Sequence, residues 1–296
     1  MSLSNSAFST AAHSYASSGS VTERKTLSVG YTPDSDDVMN FFAWEHGQVV
    51  LPGWSTNFDR QCIHTLNLAA SAGLYDVVSI SSAYYPRVAE DYWILSSGNS
   101  VGRGYGPVLV AREPVEIESL RGKRIAVGGM TTTGCALARM YCPGASFLEM
   151  RYDEIADACL AGEVDAGVMI HEELLHYVQM GLHRVCDLGA EWCRQTRLPL
   201  TVGLNIVHRR VGRAAASEIN AICRRSLQWG MDHPAQAVAY ARNFGRGCAN
   251  RFVEMFSNHD TLSLPADAIE ALRVMFDRVA SLHLAPRIES FEVIRE

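Results

Sequence analysis

The sequence contains no run of about 18 apolar residues, so no stretch of it is suited to cross a membrane as a helix. It has no Cys-x-x-Cys pair. Its 8 cysteines are scattered, several of them inside apolar helical patterns, which reads as reduced, buried residues and makes a cytoplasmic protein the expectation. Positive charge is not in excess: the formal net charge of -6 argues against nucleic acid as a main partner, because phosphate binding needs clustered Lys and Arg. Neither Gly-x-Gly-x-x-Gly nor Gly-Lys-Ser/Thr occurs, so no dinucleotide or P-loop site is indicated. The first acidic residue is Glu23, and the Ser- and Ala-rich residues 1–24 lack the apolar core of a secretion signal. They read as a flexible leader; organelle-targeting segments are usually richer in Arg.

What remains is a chain of 296 residues, 48% hydrophobic and 20% charged, long enough for two α/β lobes. Short apolar strands alternate with helical patterns. Residues 26–31, 75–80, 108–111, 123–128, 147–151, 164–170, 185–188 and 204–208 read as strands, and helices run from about residue 38, 65, 134 and 152 and throughout the region after Arg213. A polar loop carries Trp192 and Thr196. Such alternation predicts parallel sheets with right-handed crossovers. The extended segments 108–111 and 204–208 bracket a block that reads as a self-contained unit. The expected organisation is therefore lobe 1 from residues 25–111 and 204–296, with lobe 2, residues 112–203, inserted into it and a ligand cleft between them.

The candidate site residues sit where strands hand over to helices, the edge at which open α/β sheets bind ligands. His171 follows the apolar run ending at Ile170 and precedes an acidic helix start; it is either a satisfied structural histidine or a base. Thr32-Pro33-Asp34-Ser35-Asp36-Asp37 places three acids in four positions after the first strand. Asp36 or Asp37 serves as N-cap, which leaves an acid, most naturally Asp37, to face a ligand. Ser81 and Ser82 start a helix, as caps or as anion ligands. Met130-Thr131-Thr132-Thr133-Gly134 is the best anion cradle, since one threonine is enough to cap the helix and the glycines allow close approach. Arg103, in the loop Gly102-Arg103-Gly104-Tyr105-Gly106-Pro107, either pairs with a substrate carboxylate or anchors the loop. His171 and His176 are five residues apart, about 140° around a helix, which does not suit the four-residue zinc spacing, so no metal is expected.

Taken in order, Thr32-Pro33, Asp37, Thr65-Leu66-Asn67, Ser81, Gly102-Arg103-Gly104, Gly106-Pro107, Thr132-Thr133, Arg151-Tyr152-Asp153, Ile170-His171-Glu172, Asp187-Leu188-Gly189 and Leu198-Pro199-Leu200 resemble the 1,4-dihydroxy-6-naphthoate synthase family of menaquinone biosynthesis by the futalosine route, over about residues 26–285. The resemblance implies the two-lobed type 2 periplasmic-binding-protein-like fold. It also implies a carbon–carbon lyase that converts cyclic dehypoxanthine futalosine to 1,4-dihydroxy-6-naphthoate without a cofactor. His171 matches the family's proton acceptor, while the loop ending in Ser81, in which Ser79 lies, and the Thr132-Thr133-Gly134 turn correspond to its substrate-holding turns. The family usually shows Pro-Cys-Pro-Asn-Asp where this chain has Pro33-Asp34-Ser35-Asp36-Asp37, and often a lysine where this chain has Ser79. Losing a cation and gaining acids would weaken binding of a carboxylate. Two other readings of the same scaffold stand beside this one: a non-catalytic small-molecule (carboxylate) binder and the sister chorismate dehydratase. Oligomeric state is not legible, and a homodimer stays open.

Overall fold

The computed structural model describes residues 25–246 and 250–295; the expected leader, residues 1–24, and Cys248 lie outside the described residues. Twelve strands in chain order are β1 (Lys25–Tyr31), β2 (Trp54–Arg60), β3 (Val77–Ser81), β4 (Tyr92–Leu95), β5 (Ser100–Gly102), β6 (Val108–Ala111), β7 (Arg124–Val127), β8 (Ser146–Glu149), β9 (Ala166–Met169), β10 (His183–Asp187), β11 (Leu200–His208) and β12 (Val293–Ile294). They form two sheets, ordered β12-β4-β11-β3-β1-β2 with β5 beside β11, and β10-β6-β9-β7-β8.

The sheets are mixed rather than wholly parallel. β1 runs parallel to β2 and β3, and β7 runs parallel to β8 and β9, as helix crossovers require. β11 is antiparallel to β3, β4 and β5, and β6 is antiparallel to β9 and β10. The boundary expected after Ala111 is displaced: β6 hydrogen-bonds within the second sheet, while β11, from Leu200 onward, belongs to the first. The chain crosses between sheets at residues 103–107 and 197–199. Pairing decides membership here, because an apolar strand of four residues looks the same in either sheet.

Three helices bear on the cleft: α1 (Ser35–Glu45), α2 (Ile63–Ser71) and α3 (Thr133–Tyr141). α1 starts earlier than the sequence suggests. Asp34, not Asp36 or Asp37, occupies the N-cap position and makes no side-chain cap bond; Asp37 instead reaches back to accept from the Thr32 backbone N–H and hydroxyl, each at 2.9 Å. The polar segment around Trp192 is likewise a helix, Leu188–Thr196, rather than a loop. Asp187 caps it by accepting from the N–H groups of Gly189 and Ala190, and Trp192 is fully buried with its indole donating to the Pro199 carbonyl.

One core spans both sheets: Val78 and Ile80 of β3 join Leu109, Ile125 and Val168 of the second sheet. The helix Ala266–Ser281 covers this core with Ala268, Leu272, Met275, Phe276 and Val279, an apolar stripe at the three- and four-residue spacing of an amphipathic helix. A second core lies where α1 and the helix Arg213–Asp232 pack, with Phe41, Ile222 and Leu227 among its members.

Candidate active site

Four strand ends and the middle of a fifth strand converge on one cleft. β1 delivers Thr32, Asp36 and Asp37; β3 delivers Ser79, Ile80 and Ser81; β7 leads to Thr132, Thr133 and Gly134; β9 leads to Ile170 and His171. Val202 to Asn205 of β11 form the floor, and Ile63, Pro107, Leu174, Phe252 and Phe256 add apolar walls. The cleft encloses about 670 Å³ of space, part of it open to solvent, which is the size of an ordinary small-molecule site.

His171 sits at the centre of the polar side. Its Nδ1 lies 2.8 Å from Asp34 Oδ2, its ring packs edge-on against Tyr152, and its Nε2 is buried with no hydrogen-bond partner. Its backbone φ is +55°, a left-handed conformation that is uncommon for a non-glycine residue and recurs at functional sites. Behind Asp34, Arg246 donates to Asp34 Oδ1 at 2.5 Å and to Glu173 at 2.6 and 3.0 Å. Burial opposes the imidazolium, but the charge and hydrogen bond of Asp34 outweigh it and raise the His171 pKa above its ordinary value. Burial also opposes ionisation of Asp34; the charges of His171 and Arg246 prevail and hold it well below the usual carboxylate range. Asp36 and Asp37 go the other way. Burial first, and then the charge of neighbouring aspartates, pushes both above the usual range, although the Ser100 hydroxyl donates to Asp36 and Thr32 donates to Asp37.

Asp37, Ser79, Ser81, Thr132, Thr133 and Gly134 all line the cleft with His171. Several of their polar groups are already used in shaping it. The Ser79 hydroxyl donates to Asn205 Oδ1 at 2.6 Å, Ser81 accepts from Asn67, Thr132 caps α3 by accepting from the Cys135 N–H, and Thr133 donates to the Val202 carbonyl at 2.7 Å. The backbone N–H groups of the first turn of α3 remain as an anion-favouring end. Arg103 does not reach the cleft. Its guanidinium pairs with Asp260 at 2.6 Å and Asp267 at 2.8 Å on a half-exposed surface, so it anchors its loop. Among the described residues, neither Lys nor Arg lines the cleft.

Sequence reasoning missed Asp34, Arg246, Ser100 and Asn205. A buried Asn inside the apolar run Leu204 to Val207 was a readable signal; Arg246, between two glycines, offered none. The stretch Gly98-Asn99-Ser100-Val101-Gly102 has the spacing of a hydrolase nucleophile elbow. Ser100, however, opens strand β5 and spends its hydroxyl on Asp36, so it is not the exposed nucleophile of a strand-to-helix turn. Among the described residues, no three His, Cys, Asp or Glu side chains are gathered to hold a metal ion, and no helix is long and apolar enough to cross a membrane.

Comparison with known proteins places this cleft in context. A 1,4-dihydroxy-6-naphtoate synthase of Thermus thermophilus is 37% identical over 218 residues, 74% of this chain and 79% of its own length. One of Streptomyces coelicolor is 32% identical over 274 residues, 89% of this chain and 96% of its own. Among solved structures, protein AF1704 of Archaeoglobus fulgidus superposes with a TM-score of 0.83 at 36% identity, covering 88% of this chain and 98% of that one. The alkanesulfonate-binding protein SsuA of Xanthomonas axonopodis pv. citri, bound to MOPS, superposes with a TM-score of 0.69 at 16% identity, covering 93% and 99%; at that identity the likeness establishes the periplasmic-binding-protein-like fold alone. The family described as menaquinone biosynthesis matches residues 27–281, and with the two curated relatives this shows that the chain belongs to the menaquinone biosynthesis family.

Proposed function

We propose that the protein is a carbon–carbon lyase that converts cyclic dehypoxanthine futalosine to 1,4-dihydroxy-6-naphthoate, with His171 Nε2 as the base. The observation that carries the reading is that nitrogen itself: buried, without a partner, and belonging to the one imidazole that, among the described residues, lines the same cleft as the α3 turn. A neutral imidazole with Nδ1–H held by a carboxylate presents a lone pair at Nε2, the state a general base needs. Ile63, Leu174, Phe252 and Phe256 suit the bicyclic ring system that becomes the naphthoate, and the N-terminus of α3 suits its carboxylate. Cleavage that ends in an aromatic ring is driven by the aromaticity of the product, so proton transfer is the protein's main task. The seven unpaired cysteines among the described residues support a cytoplasmic place of action.

The test is incubation with cyclic dehypoxanthine futalosine. Wild type should form the naphthoate, and His171→Ala should still bind but lose on the order of 10²–10⁴ in turnover. Equal turnover by both proteins would remove His171 from the chemistry. Wild type that consumes chorismate instead would assign the sister dehydratase activity; wild type that turns over neither and binds another acid tightly would make the protein a binder.

A further inference from the structure

We infer that Asp34 is a positioning residue that fixes the tautomer of His171 from across the cleft, so that the base is assembled only while the two sheets are drawn together. The inference rests on the reading of His171 as base and concerns what makes it one. Asp34 follows β1 of the first sheet, and His171 follows β9 of the second; 2.8 Å separates Oδ2 from Nδ1. The carboxylate is almost completely buried and its other oxygen is taken by Arg246, so it has no freedom to turn away while the contact lasts. An ionised carboxylate can only accept, which obliges Nδ1 to carry the hydrogen and leaves the lone pair on Nε2, the unpartnered atom. The backbone of His171 at φ +55° sets the ring's starting point, and Tyr152 closes one side of it.

Other bonds bridge the same two sides. Ser35 donates to Glu172 Oε1 at 2.6 Å, Arg246 joins Asp34 to Glu173, and on the far side of the cleft His64 and Asn67 of α2 hydrogen-bond to Thr131 at 3.0 Å. Opening the cleft separates Asp34 from His171 and lets water reach both. The charged and titratable groups facing the ring are Asp34, Asp36 and Asp37 from the β1–α1 connection, Glu173 from its own turn, Arg246, and the Tyr152 phenol. Of these, Asp34 is the group in contact, and its charge is what raises the imidazole's pKa against burial.

The experiment uses the full chain, with imidazole NMR of His171 and steady-state kinetics on wild type, Asp34→Asn and Asp34→Glu. In wild type, saturation with 1,4-dihydroxy-6-naphthoate should raise the His171 pKa and enrich the Nδ1–H tautomer relative to the unliganded protein. In Asp34→Asn, kcat should fall on the order of 10²-fold or more, with KM little changed, because the amide no longer enforces one tautomer. The acid limb of its kcat profile should move to lower pH, and Asp34→Glu should recover part of both losses. If Asp34→Asn fails to fold, the wild-type titration with and without the naphthoate decides alone: a His171 pKa and tautomer indifferent to ligand would overturn the proposal. An Asp34→Asn enzyme with unchanged kcat and acid limb would overturn it equally. If wild type lacks the lyase activity yet His171 still responds to the naphthoate through Asp34, the assigned reaction falls and the cross-cleft dyad stands.

Discussion

Two residues near the cleft show how neighbours decide what a charge is for. Asp36 lines the site with its carboxyl raised by burial and by adjacent acids, so it enters the cleft as a group that holds its proton near neutral pH. Arg103, the cation the sequence offers for a substrate carboxylate, is committed to Asp260 and Asp267 outside it. Arg103→Ala should therefore leave KM for the naphthoate precursor essentially unchanged and lower stability by no more than about 1 kcal/mol, the usual worth of half-exposed ion pairs. Denaturant unfolding alongside kinetics checks both, and a large rise in KM would return Arg103 to the substrate. His171 was legible because a strand-to-helix junction is a local pattern. Three acids in four positions were legible only as an anomaly. Their resolution, one acid held low by His171 and Arg246 while burial raises the other two, depends on a partner 212 residues further along the chain, which no spacing rule reports.

At the scale of elements, the first turn of α3 has a structural task and, under the proposed function, a binding one as well. Thr132 accepts from the Cys135 N–H and donates to the Gly129 carbonyl, which fixes the turn, while Thr133 ties α3 to β11 through the Val202 carbonyl. Thr132→Ala should cost about 1 kcal/mol as a lost cap, and it should also raise KM because the turn's N–H groups lose their fixed direction; Thr132→Ser should restore both. Unfolding with a rise in neither quantity would mean that the turn is held by Thr133 alone. Helix starts such as this were readable from runs of hydroxyl residues. The helix Leu188–Thr196 was not, because Asp187 reads equally as the end of a strand and as a cap, and only its bonds to Gly189 and Ala190 distinguish the two. Strand membership failed for a related reason: four apolar residues at 108–111 specify burial on both faces but not which sheet supplies the neighbours.

For the whole molecule, gathering these acids around one histidine makes stability depend on pH in a definite direction. Asp36 and Asp37 have folded pKa values raised to about 7 and about 6 by burial and neighbouring charge, so the native state keeps protons that the unfolded chain releases above ~4. His171 is raised as well; its contribution is complete below the unfolded value of about 6.5 and fades as pH climbs through the higher folded one. Wherever the native state binds more protons than the unfolded state, stability falls as pH rises. Asp34 has the opposite sign, but its contribution is lost only as pH drops through a folded value below the usual carboxylate range, so it stays constant over the interval that matters. The unliganded protein should accordingly be most stable near pH ~5 and lose on the order of 4 kcal/mol by pH ~8. Asp36→Asn should flatten that slope and exceed wild type at the alkaline end. Urea unfolding at several pH values measures this, and a wild-type stability that is flat or rising between those limits would show that Asp36, Asp37 and His171 do not titrate as a buried group. A base must be unprotonated to act, so turnover should rise across the same interval in which the empty protein weakens. Under the proposed function, substrate bound between the two sheets would offset part of that loss, so saturation with the naphthoate should flatten the decline in stability toward pH ~8.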